Sequence, residues 1–240
     1  MRRLVLIVIV LASAAAGCGS GDDDSASGGD TTTTAVSECV DVEAPDSRDP
    51  GSHQAPTAEL DASKTYTLTF DTSCGAFTVT LDLETAPKTA ASLVALAKDG
   101  YFDDTIFHRV VPGFVIQGGD PTQSGAGGPG YSTVDTPPSD AKYTKGVVAM
   151  AKTQVEAPGT SGSQFFVVTG EDAGLPPDYA IVGNVTDGMD TVEKIKAVKT
   201  GVRATPQGPM QDVPTENVAI KEMRRMTPEE VTALKAKLGK

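Results

Sequence analysis

Between Phe107 and Asp120 the chain reads Phe-His-Arg-Val-Val-Pro-Gly-Phe-Val-Ile-Gln-Gly-Gly-Asp, and this stretch restricts the fold more than any other. Two short apolar runs, 106–111 and 114–116, flank Pro112-Gly113. Proline presets φ and glycine accepts positive φ, so the pair turns the chain and the runs become the arms of a β-hairpin. Side chains alternate along a strand, which predicts Phe107, Arg109 and Val111 on one face and His108 and Val110 on the other. Arg109 then points where an aromatic residue points. Such an arginine either lies along the outside of a sheet with its stem packed down, or is held over an apolar hollow.

The rest of the chain supplies more short strands. Alternating segments at 66–70 and 77–81, joined through Gly75, predict a second hairpin. Residues 86–98 carry Pro87 in the first turn, an apolar side from Leu93, Val94, Leu96 and Ala97, and Gly100 as a stop, so a helix packed on the sheet is expected. Further strands are expected at 146–151, 164–168, 181–185 and 216–223, with Gln164, Phe166 and Val168 sharing a face. A second helix is expected at 188–197, with Met189, Val192 and Ile195 inward. Thr227 as N-cap, Pro228 at the first position and Glu229-Glu230 in the first turn predict a C-terminal helix with Val231, Leu234 and Leu238 in one stripe. Many short strands with two helices predict a closed antiparallel barrel, because closure removes unpaired edges.

The chemistry on offer is narrow. The chain has two histidines, His53 and His108, and its cysteines and histidines are not clustered, so no metal site is expected. Gly125, Gly127 and Gly130 fit a G-x-G-x-x-G spacing, but Pro129 and Thr136-Pro137-Pro138 forbid the helix a dinucleotide would need. The stretch 118–138 reads instead as a surface loop, and no cofactor is expected. Ser161 lies in Gly159-Thr160-Ser161-Gly162-Ser163, which lacks the last glycine of a nucleophile elbow. His108 reads as a structural histidine and His53 is given no role.

Taken together, Phe107-His108-Arg109, Pro112-Gly113-Phe114, Gln117-Gly118-Gly119-Asp120, Gly162-Ser163-Gln164-Phe165-Phe166 and Tyr179-Ala180-Ile181-Val182-Gly183 resemble the cyclophilins, the family of peptidyl-prolyl cis/trans isomerases. The resemblance covers about residues 65–223. It implies an all-β fold, a closed eight-stranded antiparallel barrel capped by two α-helices. It also implies that Arg109 is catalytic and that Gln117 orients it and the substrate. Phe114, Phe166 and Leu175 would line the pocket for a proline ring, with Val115 at its edge and Tyr179 as a cap. Gln164 and the backbone around Ala151 and Lys152 would bind the peptide beyond the proline. Lys152 stands where well-known members have Asn, and Gly174 where they have Trp, which makes cyclosporin binding doubtful.

Rotation about an X-Pro bond suits this residue set, since it breaks no bond and moves no proton. Its barrier is about 18–20 kcal/mol because the amide nitrogen lone pair is delocalised. A guanidinium fork that holds the carbonyl and donates toward the prolyl nitrogen localises that lone pair. A second reading keeps the same pocket as a module that holds Pro-containing segments without turnover. Arg109 with Gln117 and Phe114 favours the enzyme, because a proline-binding groove needs aromatics and no oriented cation.

The start of the chain speaks to location. Met1-Arg2-Arg3, an apolar run from Leu4 to Ala16 and the small residues Ala15-Ala16-Gly17 before Cys18 form a signal-peptide pattern, and the run is shorter than the roughly 20 residues of a spanning helix. The pattern resembles a bacterial lipoprotein signal in which Cys18 is lipidated, giving an exported protein anchored to a cell membrane surface. The expected division is a signal peptide at 1–17, a lipidated N-terminus and flexible acidic tether at 18–63, an isomerase domain at 64–225 and a helix at 226–240. Without Arg2 and Arg3, the 20 basic side chains become 18 against 32 acidic ones, so nucleic acid is not an expected partner. The expected partners are Pro-containing unfolded or exported polypeptides, and a monomer is expected. Cys39 and Cys74 fit no metal-ligand spacing; in an oxidising compartment they are expected to form a disulfide, the alternative being two free thiols.

Overall fold

The structure, a computed structural model, describes residues 39–40, 42–205 and 208–237. In chain order its elements are β1 (Thr67–Thr72), β2 (Gly75–Leu81), α1 (Pro87–Lys98), β3 (Thr105–Ile106), β4 (Arg109–Val111), β5 (Val115–Gly118), β6 (Thr133–Val134), β7 (Val147–Met150), β8 (Thr160–Ser161), β9 (Phe165–Val168), β10 (Ile181–Asp187), α2 (Met189–Lys196), β11 (Thr200–Thr205), β12 (Gly208–Pro214), β13 (Ala219–Met226) and α3 (Pro228–Lys237). Cys18 and the signal-peptide segment lie outside the described residues.

Nine strands form one curled antiparallel sheet in the order β3-β13-β1-β2-β10-β7-β9-β5-β4. The expected closed, eight-stranded barrel is therefore corrected: the ladder has nine strands and is open between β3 and β4. The reason lies in the organising stretch itself. Residues 105–111 do not form one strand but break at Phe107-His108, so β3 pairs with β13 while β4 pairs with β5. Two residues alone separate the outermost strands of the sheet, which curls until its first and last members are consecutive in the chain.

Inside the curl lies the main apolar cluster. Phe70 and Phe77, opposite each other in the β1–β2 ladder, stack at 4.4 Å. Leu93 and Leu96 of α1 and Val192 and Ile195 of α2 join the same cluster, so the two helices bury the faces their periodicity predicts. Ala86 offers α1 no capping side chain. The carboxylate of Asp135 takes that role from a distant loop, accepting from both the amide and the hydroxyl of Thr89 at 2.7 Å. At α3, Thr227 and Glu230 cap each other reciprocally: the Thr227 amide donates to Glu230 Oε2 and the Glu230 amide to Thr227 Oγ1.

Part of the stretch read as a tether is bound to the domain. Cys39 and Cys74 form a disulfide. The Val40 amide donates to the Ser73 carbonyl, Asn217 Nδ2 to the Val42 carbonyl, and the Arg48 guanidinium to the carbonyls of Tyr101 and Asp103. Further on, the His53 amide donates to the Pro129 carbonyl and its ring meets Tyr101 edge-on at 5.1 Å. Low apolar content argued against ordering here, but these bonds go to main-chain carbonyls, which no side-chain composition reports.

Sequence reasoning missed two small sheets. β11 and β12 form a separate two-stranded hairpin after α2, packed beside β4. β6, within the stretch expected to be a surface loop, pairs with β8, Thr133 opposite Ser161 and Val134 opposite Thr160; strands of two residues are too short to show an alternation.

Candidate active site

The face of the sheet turned away from the main cluster carries a second, smaller apolar cluster, built from Val115, Tyr143, Val147, Ala149, Phe166 and Val168. The same alternation that sends Val110, Ile116 and Val167 inward sends Arg109, Gln117 and Phe166 outward. Register aligns them. Arg109 lies opposite Gln117 in the β4–β5 ladder, Gln117 opposite Phe166 in β5–β9, and Phe166 opposite Ala149 in β9–β7. The predicted shared face of Phe107 and Arg109 is not found. Phe107 is fully buried in the main cluster while Arg109 is outside, because the break between β3 and β4 resets the alternation.

Arg109 and Gln117 border a cavity of about 150 Å³. Phe114, Val115, Phe166 and Leu175 form its apolar walls, and Ala151, Lys152 and Tyr179 its other side. That is below the roughly 300 Å³ at which pockets for whole small molecules begin, so it takes one side chain or small ring. Of the residues named from the sequence, Gln164 alone stands outside this cavity. It lines a neighbouring groove of about 540 Å³ that Gln117, Ala151 and Lys152 share.

The polar groups are wired in series. Arg109 Nη1 donates to Gln117 Oε1 at 3.3 Å, Gln117 Nε2 to Gln164 Oε1 at 3.1 Å, and Gln164 Nε2 to the Gly127 carbonyl at 3.0 Å. Gly127 is itself fixed by Asp120. That buried carboxylate accepts from the Thr122 amide and hydroxyl and from the amides of Gly125 and Gly127. A Cβ at Gly127 would meet Asp120 Oδ1 at 2.0 Å, so the glycine pattern in this loop serves a carboxylate of the chain itself. Burial alone would raise the Asp120 pKa, yet the donors from Thr122 and Gly127 hold it below the ordinary carboxylate value.

Lys152 departs from the reading that assigned its backbone alone. Its side chain is 3% exposed, pairs with Asp178 at 2.9 Å and lies over the Tyr179 ring at 5.5 Å. Tyr179 also packs edge-on against Phe166, with ring centres 5.7 Å apart, and its amide donates to the Tyr143 hydroxyl. The cap of the cavity is thus held by a buried cation as well as by aromatic packing. No residue spacing announces such a pair.

His108 sits behind the arginine with both ring nitrogens buried and unpartnered among the described residues. Burial pushes its pKa down to about 4, against an upward pull from Asp120. A histidine in the unfolded chain titrates near 6.5, so the stability this neutral imidazole contributes is full above that value and is lost as pH falls toward 4. Between pH 7.5 and 5 the loss from His108 is expected to be about 2 kcal/mol, since each tenfold difference in proton affinity between the unfolded and folded chains is worth ~1.36 kcal/mol. Urea unfolding at the two pH values measures it, and His108→Gln should flatten the difference.

Asp212, on the unpredicted hairpin, also reaches the site: its Oδ2 lies 3.8 Å from Arg109 Nε.

Comparison with known proteins gives a consistent answer. The family described as cyclophilin type peptidyl-prolyl cis-trans isomerase/CLD matches residues 67–225. A peptidyl-prolyl cis-trans isomerase-like 1 of Emericella nidulans is 42% identical over 137 residues, covering 55% of this chain and 83% of the relative. One from Gibberella zeae is 36% identical over 170 residues, covering 69% of this chain and 98% of the relative. Among solved structures, a Cryptosporidium parvum cyclophilin type peptidyl-prolyl cis-trans isomerase superposes with a TM-score of 0.61 at 29% identity, over 68% of this chain and 98% of that one. The same protein crystallised in the presence of the dipeptide Ala-Pro gives a TM-score of 0.60 at 30% identity, over 67% and 99% of the two chains.

Proposed function

Because this chain belongs to the cyclophilin-type peptidyl-prolyl cis-trans isomerases, we infer that the cavity beside Arg109 receives the proline ring and that Arg109 drives the rotation. The observation that carries this reading is the placing of one guanidinium, tied to Gln117, at the mouth of a small cavity walled by Phe114, Phe166 and Leu175. The ring is gripped by the apolar walls while the preceding carbonyl and the prolyl nitrogen face the guanidinium. As the imide twists, its nitrogen pyramidalises and gains a lone pair toward which the fork donates, so the interaction strengthens in the transition state. Gln117 acts by holding the guanidinium plane. The groove beside Gln164 takes the peptide beyond the proline, with the Ala151 and Lys152 backbone along its edge.

We further propose that the enzyme works outside the cytoplasm on unfolded or newly exported chains, tethered through lipid on Cys18 in the manner of a bacterial lipoprotein, as a monomer. The apolar run before Cys18 and the Cys39–Cys74 disulfide support this compartment. Two experiments test the proposal. The slow, proline-limited refolding phase of a protein with a native cis-proline should accelerate with catalytic amounts of enzyme, and an unchanged phase would count against the client class. Cys18→Ser should move the protein from the membrane fraction to the soluble one; a protein soluble without that change would rule out the anchor.

A further inference from the structure

We propose that Asp212 is a positioning residue for the catalytic arginine, delivered to it by the β11–β12 hairpin. This rests on the role of Arg109 given above. A guanidinium is a plane with donors along its edges, and its use against a twisting imide depends on which edge faces the substrate. Arg109 has a side chain 35% exposed on β4, the last strand of the sheet. Gln117 takes one Nη1 donor, and Asp212 stands at the Nε edge, 3.8 Å away. With those two edges engaged, the remaining donors are left for the cavity.

The backbone around Asp212 is shaped for this contact. In the hairpin ladder Gly201 pairs with Val213 and Arg203 with Met210, so Gln211 and Asp212 together oppose Val202 alone. That is a bulge, which re-aims a side chain out of the strand's alternation. Asp212 has φ of +58°, a left-handed conformation that Asp tolerates better than most side chains. The hairpin is fastened where it must be if its carboxylate is to keep its place. Arg203 donates to the Gln123 carbonyl and touches Met210 Sδ, and Met210 lines one cleft with Arg109, Gln117 and Gly125. At 3.8 Å the Asp212 contact is an ion pair too long for a hydrogen bond, and both partners are over a third exposed; its effect is therefore limited to a small factor.

The test uses Asp212→Gly, which removes the carboxylate and is at ease at positive φ, so the hairpin is kept. Asp212→Asn keeps a side-chain carbonyl and the same backbone tolerance. Asp212→Gly is expected to lower kcat about three- to tenfold with KM unchanged, and Asp212→Asn to fall between it and the wild type. The 15Nε–H resonance of Arg109 should shift and broaden in the glycine variant, and Asp212→Gly should cost nothing further on an Arg109→Ala background. A wild-type or raised kcat in Asp212→Gly, or the same fold-loss with Arg109 already gone, would overturn the proposal. If instead Arg109→Ala itself keeps wild-type kcat, the reading of Arg109 is what fails, and the two failures are told apart.

Discussion

Arg109→Ala is expected to lower kcat/KM for X-Pro isomerisation by on the order of 10² or more, the usual cost of removing one preorganised donor from developing charge. Three features of the site set that size. The donor is aimed by Gln117, and Gln117 is in turn held through Gln164 to the Gly127 carbonyl, so little reorganisation remains for the reaction itself. The walls opposite are apolar, which strengthens a charge–dipole interaction relative to water. The interaction also grows only as the nitrogen pyramidalises, so kcat should fall while peptide affinity, carried by Phe114, Phe166 and Leu175, changes little. Arg109→Lys should recover only a minor part, because an ammonium is a point charge without the planar fork. Thermal stability should be unchanged within about 0.5 kcal/mol, since the side chain is partly exposed and fills no core space. A peptide isomerisation assay with steady-state kinetics, alongside a urea melt of the same preparation, separates the two effects.

Phe165→Ala is expected to destabilise the fold by about 3–5 kcal/mol, the range for emptying a buried phenylalanine site. Phe165 is 1% exposed and its ring lies 5.2 Å from Phe70, 6.1 Å from Phe107 and 6.3 Å from Phe102. Those partners come from β1, from the break after β3 and from the segment after α1, so one ring joins three separate parts of the chain. Domains of this kind hold roughly 5–15 kcal/mol in all, which makes the loss a large share of the total. The urea midpoint should fall with an unchanged slope. A midpoint within a few tenths molar of the wild type would mean the aromatic cluster is not where the stability lies. The neighbours of Phe165 are Gln164 and Phe166, both at the site, so activity should fall at least as early as the fold is lost.

How much of this could be read from the chain depends on where each signal resides. Hairpin and helix positions followed from alternation and from Pro and Gly punctuation, as at Pro112-Gly113 and Pro87, because those residues limit the backbone directly. The cavity lining was legible through the family resemblance, and the register Arg109–Gln117–Phe166 shows why residues far apart in sequence meet: a row across three strands gathers them. The break at Phe107-His108 was not legible, since both residues read as ordinary strand members and only the rival pairing of β3 and β4 separates them. Beyond the expected Cys39–Cys74 bond, the binding of residues 42–53 depends largely on main-chain acceptors and so left no trace in composition. β11 and β12 are polar, half-exposed and interrupted by proline, so their alternation is faint. With that hairpin went Asp212, whose aim comes from a bulge and not from any motif.

The central claim is that Arg109, poised over the small cavity, speeds rotation of the imide and does not merely hold proline. Exchange NMR on an Ala-Pro-containing peptide, with substoichiometric enzyme, tests it most directly. Uncatalysed cis/trans exchange takes tens of seconds or longer. Exchange cross-peaks between the cis and trans resonances are expected on a sub-second mixing time, absent with Arg109→Ala. Saturable binding of the peptide with exchange still at the uncatalysed rate would contradict the claim and leave the cavity as a proline-binding module.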